Sequence, residues 1–399
     1  MEILSMSRIF HSGRKIKGSF FYRFVPLFIG AITFVSPSVM AQAKVGTVPF
    51  LPFSTSPRAN GMGSCTVNLA DEESSQFNPG ASGIFFLNHY FGVTLPVKTK
   101  IFPDFVVDEE VGVKTFHLGI GTPFLLHRSE RWGDLEVAPF VAYHQVNLDY
   151  GRRHYVDYTH SYWREDEDKY SGYTLGLGAS CRYLKIGIGY TFKTTEWKIS
   201  IEDTAQTNMK WHARDFGLLV EIPFLRDEEE RNNLGPGKKY GFELTPSFAF
   251  VIANKPADEN EAIENSLPKM RRIGLSVFFA VKDKTANIIT IRPAFEFDKS
   301  LINSEEMTSR MGMEFGIADI LYLRVGKQKL NGRSENSGTF GIGVSTRGLM
   351  ALIYPAEKRG ERMISRILGN LDMQFDYARA NGLNTLTNTN YMKISLSFR

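Results

Sequence analysis

Between residues 184 and 193 the chain alternates without a break. Leu184, Ile186, Ile188, Tyr190 and Phe192 are apolar, while Lys185, Gly187, Gly189, Thr191 and Lys193 are polar or small. A period of two predicts a half-buried β-strand. The division recurs in Ile273, Leu275, Val277, Phe279 and Val281, in Ile289, Ile291, Phe295 and Phe297, in Met311, Met313 and Phe315, and in Leu371, Met373, Phe375 and Tyr377. Extending the pattern predicts strands at 88–97, 112–121, 135–150, 168–178, 183–199, 209–222, 240–253, 270–282, 287–297, 309–317, 320–328, 338–346, 371–379 and 391–399.

A soluble β-sandwich alternates too, so the strands' other face decides the class. It is glycine-rich and charged, and the strand lengths match the roughly 9–11 residues of a tilted bilayer crossing. Fourteen is an even count, which lets an antiparallel sheet close with both ends on one side. The expected fold is therefore all-β: a transmembrane antiparallel β-barrel with a short N-terminal plug. Tight connections such as Ala318-Asp319 belong to the periplasmic side, and the long segments 151–167 and 254–269 to the extracellular side. The segments 223–239 and 347–370 break that rule, as missed strands or as ordered periplasmic excursions.

The first residues do not fit the barrel pattern. Arg8, Arg14, Lys15, Lys17 and Arg23 precede an apolar run from Phe24 to Val35, and Val39 and Ala41 follow. This is the order of a secretory signal, with cleavage expected after Ala41 or Ala43. The run is shorter than the roughly 20 residues of a membrane-spanning helix. The expected organisation is a cleaved signal over 1–41, a plug over 42–86 and a barrel over 87–399. Removing five basic and one acidic residue takes four from the formal +4, leaving a mature chain near neutrality and no basic footprint for nucleic acid. Cys65 and Cys181 have no metal or redox spacing and are expected to be free or unimportant thiols, with a disulfide between them the alternative open to an exported pair.

The plug region carries the most specific motif. Pro57 and Arg58 precede Gly61-Met62-Gly63, an acidic Ala70-Asp71-Glu72 follows, and Asn78-Pro79-Gly80-Ala81 stands before the first strand. This arrangement resembles the PorV/PorQ family of type IX secretion outer-membrane proteins, within the FadL-like fourteen-stranded barrels. Gly312-Met313-Glu314-Phe315-Gly316, Leu323-Arg324-Val325-Gly326 and Gly341-Ile342-Gly343-Val344 add to it. Two residues depart from the family pattern: Gly80 stands where alanine is usual, and Arg399 follows Phe398 where an aromatic residue commonly ends the chain. The resemblance implies a non-enzymatic role with secreted cargo proteins and an outer-membrane translocon as partners. Its FadL-like alternative is transport of hydrophobic small molecules, with Val48-Pro49-Phe50-Leu51-Pro52-Phe53 as the apolar stretch outside the strands.

Motifs for hydrolysis, zinc, phosphate or calcium binding are missing, so neither an enzyme nor a cofactor or metal is expected. The Gly-x-Gly pairs at 176/178, 187/189 and 341/343 fall inside strands, where they thin the lumen face. His154, Tyr155, Tyr158, His160, Tyr162 and Trp163 form the densest aromatic stretch, expected as an extracellular loop that is either solvated or a partner-contacting surface. Lys185, Lys193, Arg292, Glu296, Glu314, Arg324, Asp372 and Asp376 are predicted to face the lumen. Their mixed sign argues for cross-strand ion pairs rather than a charge-selective pore. Outer-membrane lipids would surround the apolar face.

Overall fold

The computed structural model describes residues 54–95, 97, 99–103, 111–128, 133–156, 161–201, 207–226, 241–256, 269–282, 287–300, 307–330, 336–353, 370–380, 386, 387 and 389–399. The expected signal, the apolar stretch from Val48 to Phe53, Tyr158 and His160 lie outside them. Eighteen extended segments join end to end into fourteen strands. These are β1 (Phe91–Leu95, continued by Thr99–Pro103), β2 (Val111–Gly121, continued by Phe124–His127), β3 (Leu135–Val156), β4 (Ser161–Cys181), β5 (Leu184–Ile201), β6 (Thr207–Glu221, continued by Leu225–Arg226) and β7 (Gly241–Pro256). The second half comprises β8 (Met270–Lys282), β9 (Asn287–Ser300), β10 (Met307–Ile317), β11 (Leu321–Leu330), β12 (Asn336–Ser345), β13 (Leu371–Ala380) and β14 (Thr389–Phe398, preceded by Leu386–Thr387).

Each strand pairs antiparallel with the next. β1 pairs with β14, Phe91 facing Phe398 and Leu95 facing Ile394, and this closes the barrel. No sheet edge is left to satisfy, which is what a bilayer demands of a β-protein. Ile188, Phe192, Phe295, Met311, Val325 and Phe375 are exposed on the outside, while Gly187, Thr191, Glu296, Arg324 and Asp376 turn inward and are buried. The protein is an outer-membrane β-barrel whose apolar band faces lipid.

β3 and β4 run for 22 and 21 residues, about twice a bilayer crossing. Here the structure corrects the sequence reading. Instead of looping out, His154 pairs with Trp163 and Tyr155 with Tyr162, so the aromatic stretch continues the hairpin beyond a bulge between Asp149 and Arg152. Aromatic and β-branched residues favour the pleated backbone, which explains why the ladder persists there.

Segment 54–86 lies inside the barrel as three short helices, α1 (Pro57–Gly61), α2 (Ser74–Phe77) and α3 (Pro79–Phe86). A fourth, α4 (Arg347–Ile353), follows β12 at the end where β1 begins and β14 finishes.

Candidate functional site in the barrel lumen

Local chemistry shapes the inner segment. Ser56 caps α1 with Pro57 in its first turn. Asn78 caps α3, its Oδ1 accepting from the Gly80 amide at 2.9 Å and its Nδ2 donating to the Val67 carbonyl at 2.7 Å. Pro79 follows in the first turn.

The strands receive this segment on two glycine patches. A Cβ on Gly187 would lie 1.9 Å from the Gly80 carbonyl oxygen, and one on Gly217 2.2 Å from Asn78 Oδ1. Gly80 in turn faces the Gly187 and Gly217 carbonyls, which is why alanine does not fit there. On the opposite wall, Gly63 adopts a left-handed φ of 68° against Gly326 and Met311, and Gly61 lies on Gly341. Gly63 also donates its amide to Thr339 Oγ1 at 2.9 Å.

Charge locks the same contacts. Arg58 donates twice to Glu314, at 2.9 and 2.8 Å, and lies 3.5 Å from Asp71. Glu314 also accepts from Arg324 at 2.7 Å, and Arg324 reaches Asp376 at 2.6 Å. Glu296 accepts the Thr66 and Val67 amides at 2.6 and 3.0 Å and pairs with Arg310. Lys393 joins Glu73 at 3.1 Å and Asp376 at 3.8 Å. Burial alone would lower the Arg58 pKa, but Glu314 and Asp71 outweigh it and hold the guanidinium charged. Burial pushes the Glu72 carboxyl up to about 7 against the opposing pull of Lys393.

The remaining inward charges are spread around the wall. Lys185 pairs with Glu221 at 3.7 Å, Lys193 with Asp215 at 2.5 Å, and Asp372 accepts from Ser345 at 2.7 Å. The Arg292 guanidinium lies over the Phe278 ring at 4.9 Å. Cys65 is buried near Ala294, Cys181 ends β4, and neither is bonded to the other. Among the described residues, no group of three or more His, Cys, Asp or Glu is placed to hold a metal.

Among the described residues, two cavities border the segment. The one beside α4, about 160 Å³, is polar and lined by Arg58, Asp71, Arg292, Arg347, Lys393 and Arg399 among others. The other is about 60 Å³ and has an apolar wall of Phe77, Val113, Val146, Leu148, Tyr170 and Tyr391, with His144 and Lys193 beside it. Val113, Val146, Leu148, Tyr170 and Tyr391 belong to one buried cluster. Sequence reasoning missed this chamber because it treated the inner face as small and polar throughout. The signal was present in 135–150, where Leu135, Val137, Val141 and Tyr143 set the apolar parity but from residue 145 it switches to Val146, Leu148 and Tyr150, with Gln145, Asn147 and Asp149 on the other face.

No family model matches the chain, and no curated protein matches it in sequence. Several solved barrels are similar in structure. The toluene transporter TbuX of Ralstonia pickettii superposes with a TM-score of 0.45 at 11% identity, covering 86% of this chain and 97% of that one. The toluene transporter TodX of Pseudomonas putida does so with a TM-score of 0.38 at 9% identity, covering 90% and 98%. The transport unit of the autotransporter AIDA-I from Escherichia coli gives 0.35 at 11% identity, covering 77% and 88%.

Proposed function

We propose that the protein is a non-enzymatic conduit that admits small hydrophobic molecules through the outer membrane. The observation that carries this reading is the apolar-walled chamber at one end of the inner segment. A water-filled pore has no use for Val113, Val146, Leu148 and Phe77 on one inner wall, whereas a hydrophobic solute gains by leaving water there. The segment beneath blocks free diffusion, so passage couples entry into the chamber to local movement of α2 and its neighbours. Cells that produce the protein should take up radiolabelled toluene faster than cells that lack it. Equal initial rates would overturn the reading.

Type IX secretion, the role implied by the family resemblance, has a different support: the hairpin of β3 and β4, which continues well past a bilayer crossing and carries Tyr155, Tyr162 and Trp163 at its outer end. Such a hairpin adds length beyond the bilayer where a cargo protein can bind, and tyrosine and tryptophan as residue types give large contact areas at small entropic cost. Shortening the hairpin by removing residues 151–164 separates the two roles. A secretion component would lose cargo release with toluene uptake intact.

A further inference from the structure

From β6 to β13 the outer wall carries charge of a single sign. Arg214 on β6 stands directly opposite Lys255 on β7, and Arg271 on β8 directly opposite Lys299 on β9, all of them exposed. Lys327 and Lys329 share the outer parity of β11, and Arg379 that of β13, again exposed. The acidic residues of these strands, from Asp215 on β6 to Asp376 on β13, belong to the inner parity. Among the described residues, the outer face from β6 to β13 therefore holds cations and no carboxylate, and none of the cations just named is ion-paired. On the neighbouring wall the chain neutralises its own surface. There Glu196 stands between Lys169 and Lys210, bonding Lys210 at 2.7 Å, and Glu167 faces Lys198.

The height of these cations is as uniform as their sign. Arg214 is also paired with Phe192, Lys327 with Met311 and Arg379 with Phe340, exposed apolar residues of the lipid-facing band. They mark one rim of that band, the depth at which long basic side chains reach headgroups while their stems stay on apolar surface. It is the rim from which the β3–β4 hairpin projects, and outer-membrane barrels carry their longer extensions on the extracellular side. The opposite rim is apolar on its outer face, at Phe242, Ile289, Ile317, Val344 and Leu371. Like charges directly opposed across a ladder repel and destabilise it, and the arc repeats that arrangement in two strand pairs with no counter-ion from the chain. Anions held at that height offset the repulsion, and a leaflet of phosphorylated lipid presents them there.

We infer that the arc from β6 to β13 binds the phosphate groups of the glycolipid that forms the outer leaflet. The inference concerns the outer wall and is independent of which solute the lumen admits. Fluorescently labelled diphosphoryl lipid A, titrated into the full chain in neutral detergent, tests it. Salt is kept at about 0.1 M, where charges more than about 10 Å apart are largely screened. Binding should saturate and weaken about 5-fold for each cation removed. Arg214→Gln with Lys255→Gln should thus lose roughly 25-fold, and Arg271→Gln with Lys299→Gln as much. These side chains are exposed, so the unfolding midpoint should show both double variants folded. Lys198→Gln with Lys210→Gln removes equal charge from the neighbouring wall and should leave the affinity within about 2-fold. Unchanged affinity in either folded double variant would overturn the inference, as would an equal loss in the Lys198 and Lys210 control. Equal binding of fully dephosphorylated lipid A would leave only apolar contact. Displacement of the lipid by inorganic phosphate at equal phosphate concentration would make the arc a site for free anions.

Discussion

At the scale of single residues, the inner face is not uniformly tolerant. Alternation alone assigns Gly187 to a lumen where even lysine should cost little, but the Gly80 backbone occupies the space its side chain would need. Gly187→Ala should therefore destabilise the barrel by about 1–3 kcal/mol through overpacking, seen as a lower unfolding midpoint in detergent. Ile188, 46% exposed on the outer face, carries the complementary expectation. Ile188→Lys should cost roughly 2–4 kcal/mol near the bilayer midplane and reduce folded yield in membranes. The departure at the C-terminus also has a local reason. Arg399 donates to His89 Nε2 at 3.2 Å while Nδ1 of that ring meets the Phe85 carbonyl at 2.9 Å, and the ring stacks on Phe85. Burial first, and then Arg399, pushes the His89 pKa down to about 3. Its folded value lies below the unfolded one near 6.5, so the unfolded state binds more protons between those limits and stability falls as pH drops through that window. The unfolding midpoint should decline from pH 6.5 toward pH 4, and His89→Phe, which keeps the stacking surface, should flatten that decline.

At the scale of elements, all fourteen strands were legible, because each has one face in lipid and one inward, and period two records that division directly. What α3 does to β4, β5 and β6 was less legible. Glycine pairs in a strand look the same whether they thin a lumen or receive a helix backbone, and only the three-dimensional register brings Gly80 onto Gly187 and Gly217. The motif residues Arg58, Asn78 and Pro79 stood out in the sequence, but their partners Glu314, Leu218 and Gly189 are more than a hundred residues away. The β3–β4 hairpin misled for a different reason: charged and aromatic residues read as a loop when no apolar face continues, yet pairing outside the bilayer needs none. The attachment of α1 to β10 and β11 is the element contact most open to test. Glu314 is shared by Arg58 and Arg324, so Glu314→Gln leaves two buried guanidinium groups short of charge, a loss of roughly 3–5 kcal/mol for such a site. Hydrogen exchange at residues 57–63 should rise sharply in Glu314→Gln while the amides of β4 and β5 stay protected. Uniform loss of protection would mean that the barrel itself depends on this charge.

At the scale of the whole molecule, the inner segment is held unequally. Toward β4, β5 and β6 it packs backbone on backbone against glycines, and toward β8 to β12 it is tied by Glu296, Glu314 and a second set of glycines. Toward β1, β2 and β3 it packs Phe85 and Phe86 on Gly92, Gly119, Gly121 and Phe140, and beside that patch runs a row of polar groups. Ser395, Thr94, His117 and His144 stand side by side in register across those four strands. Ser395 Oγ, Thr94 Oγ1, both His117 nitrogens and His144 Nδ1 lack hydrogen-bond partners, as do Glu73 Oε1 and Ser75 Oγ on the segment. Among the described residues, His117 lies 3.9 Å from Glu73 and Lys393 3.1 Å from it across this seam. His144 borders the apolar chamber and Lys393 the polar one, so the row lies between the two. Separating surfaces that share few hydrogen bonds costs least, and unsatisfied groups gain water when they part. A solute leaving the apolar chamber should therefore pass along β14, β1 and β2 rather than beneath α3. Thr94→Val removes one orphaned hydroxyl without changing side-chain shape, so it should raise the unfolding midpoint by the equivalent of about 1 kcal/mol. By closing up this polar row it should also slow toluene uptake. A stabilised Thr94→Val variant with unchanged uptake would place the route elsewhere, and the next surface to examine would be the junction of α1 with β12 and β13.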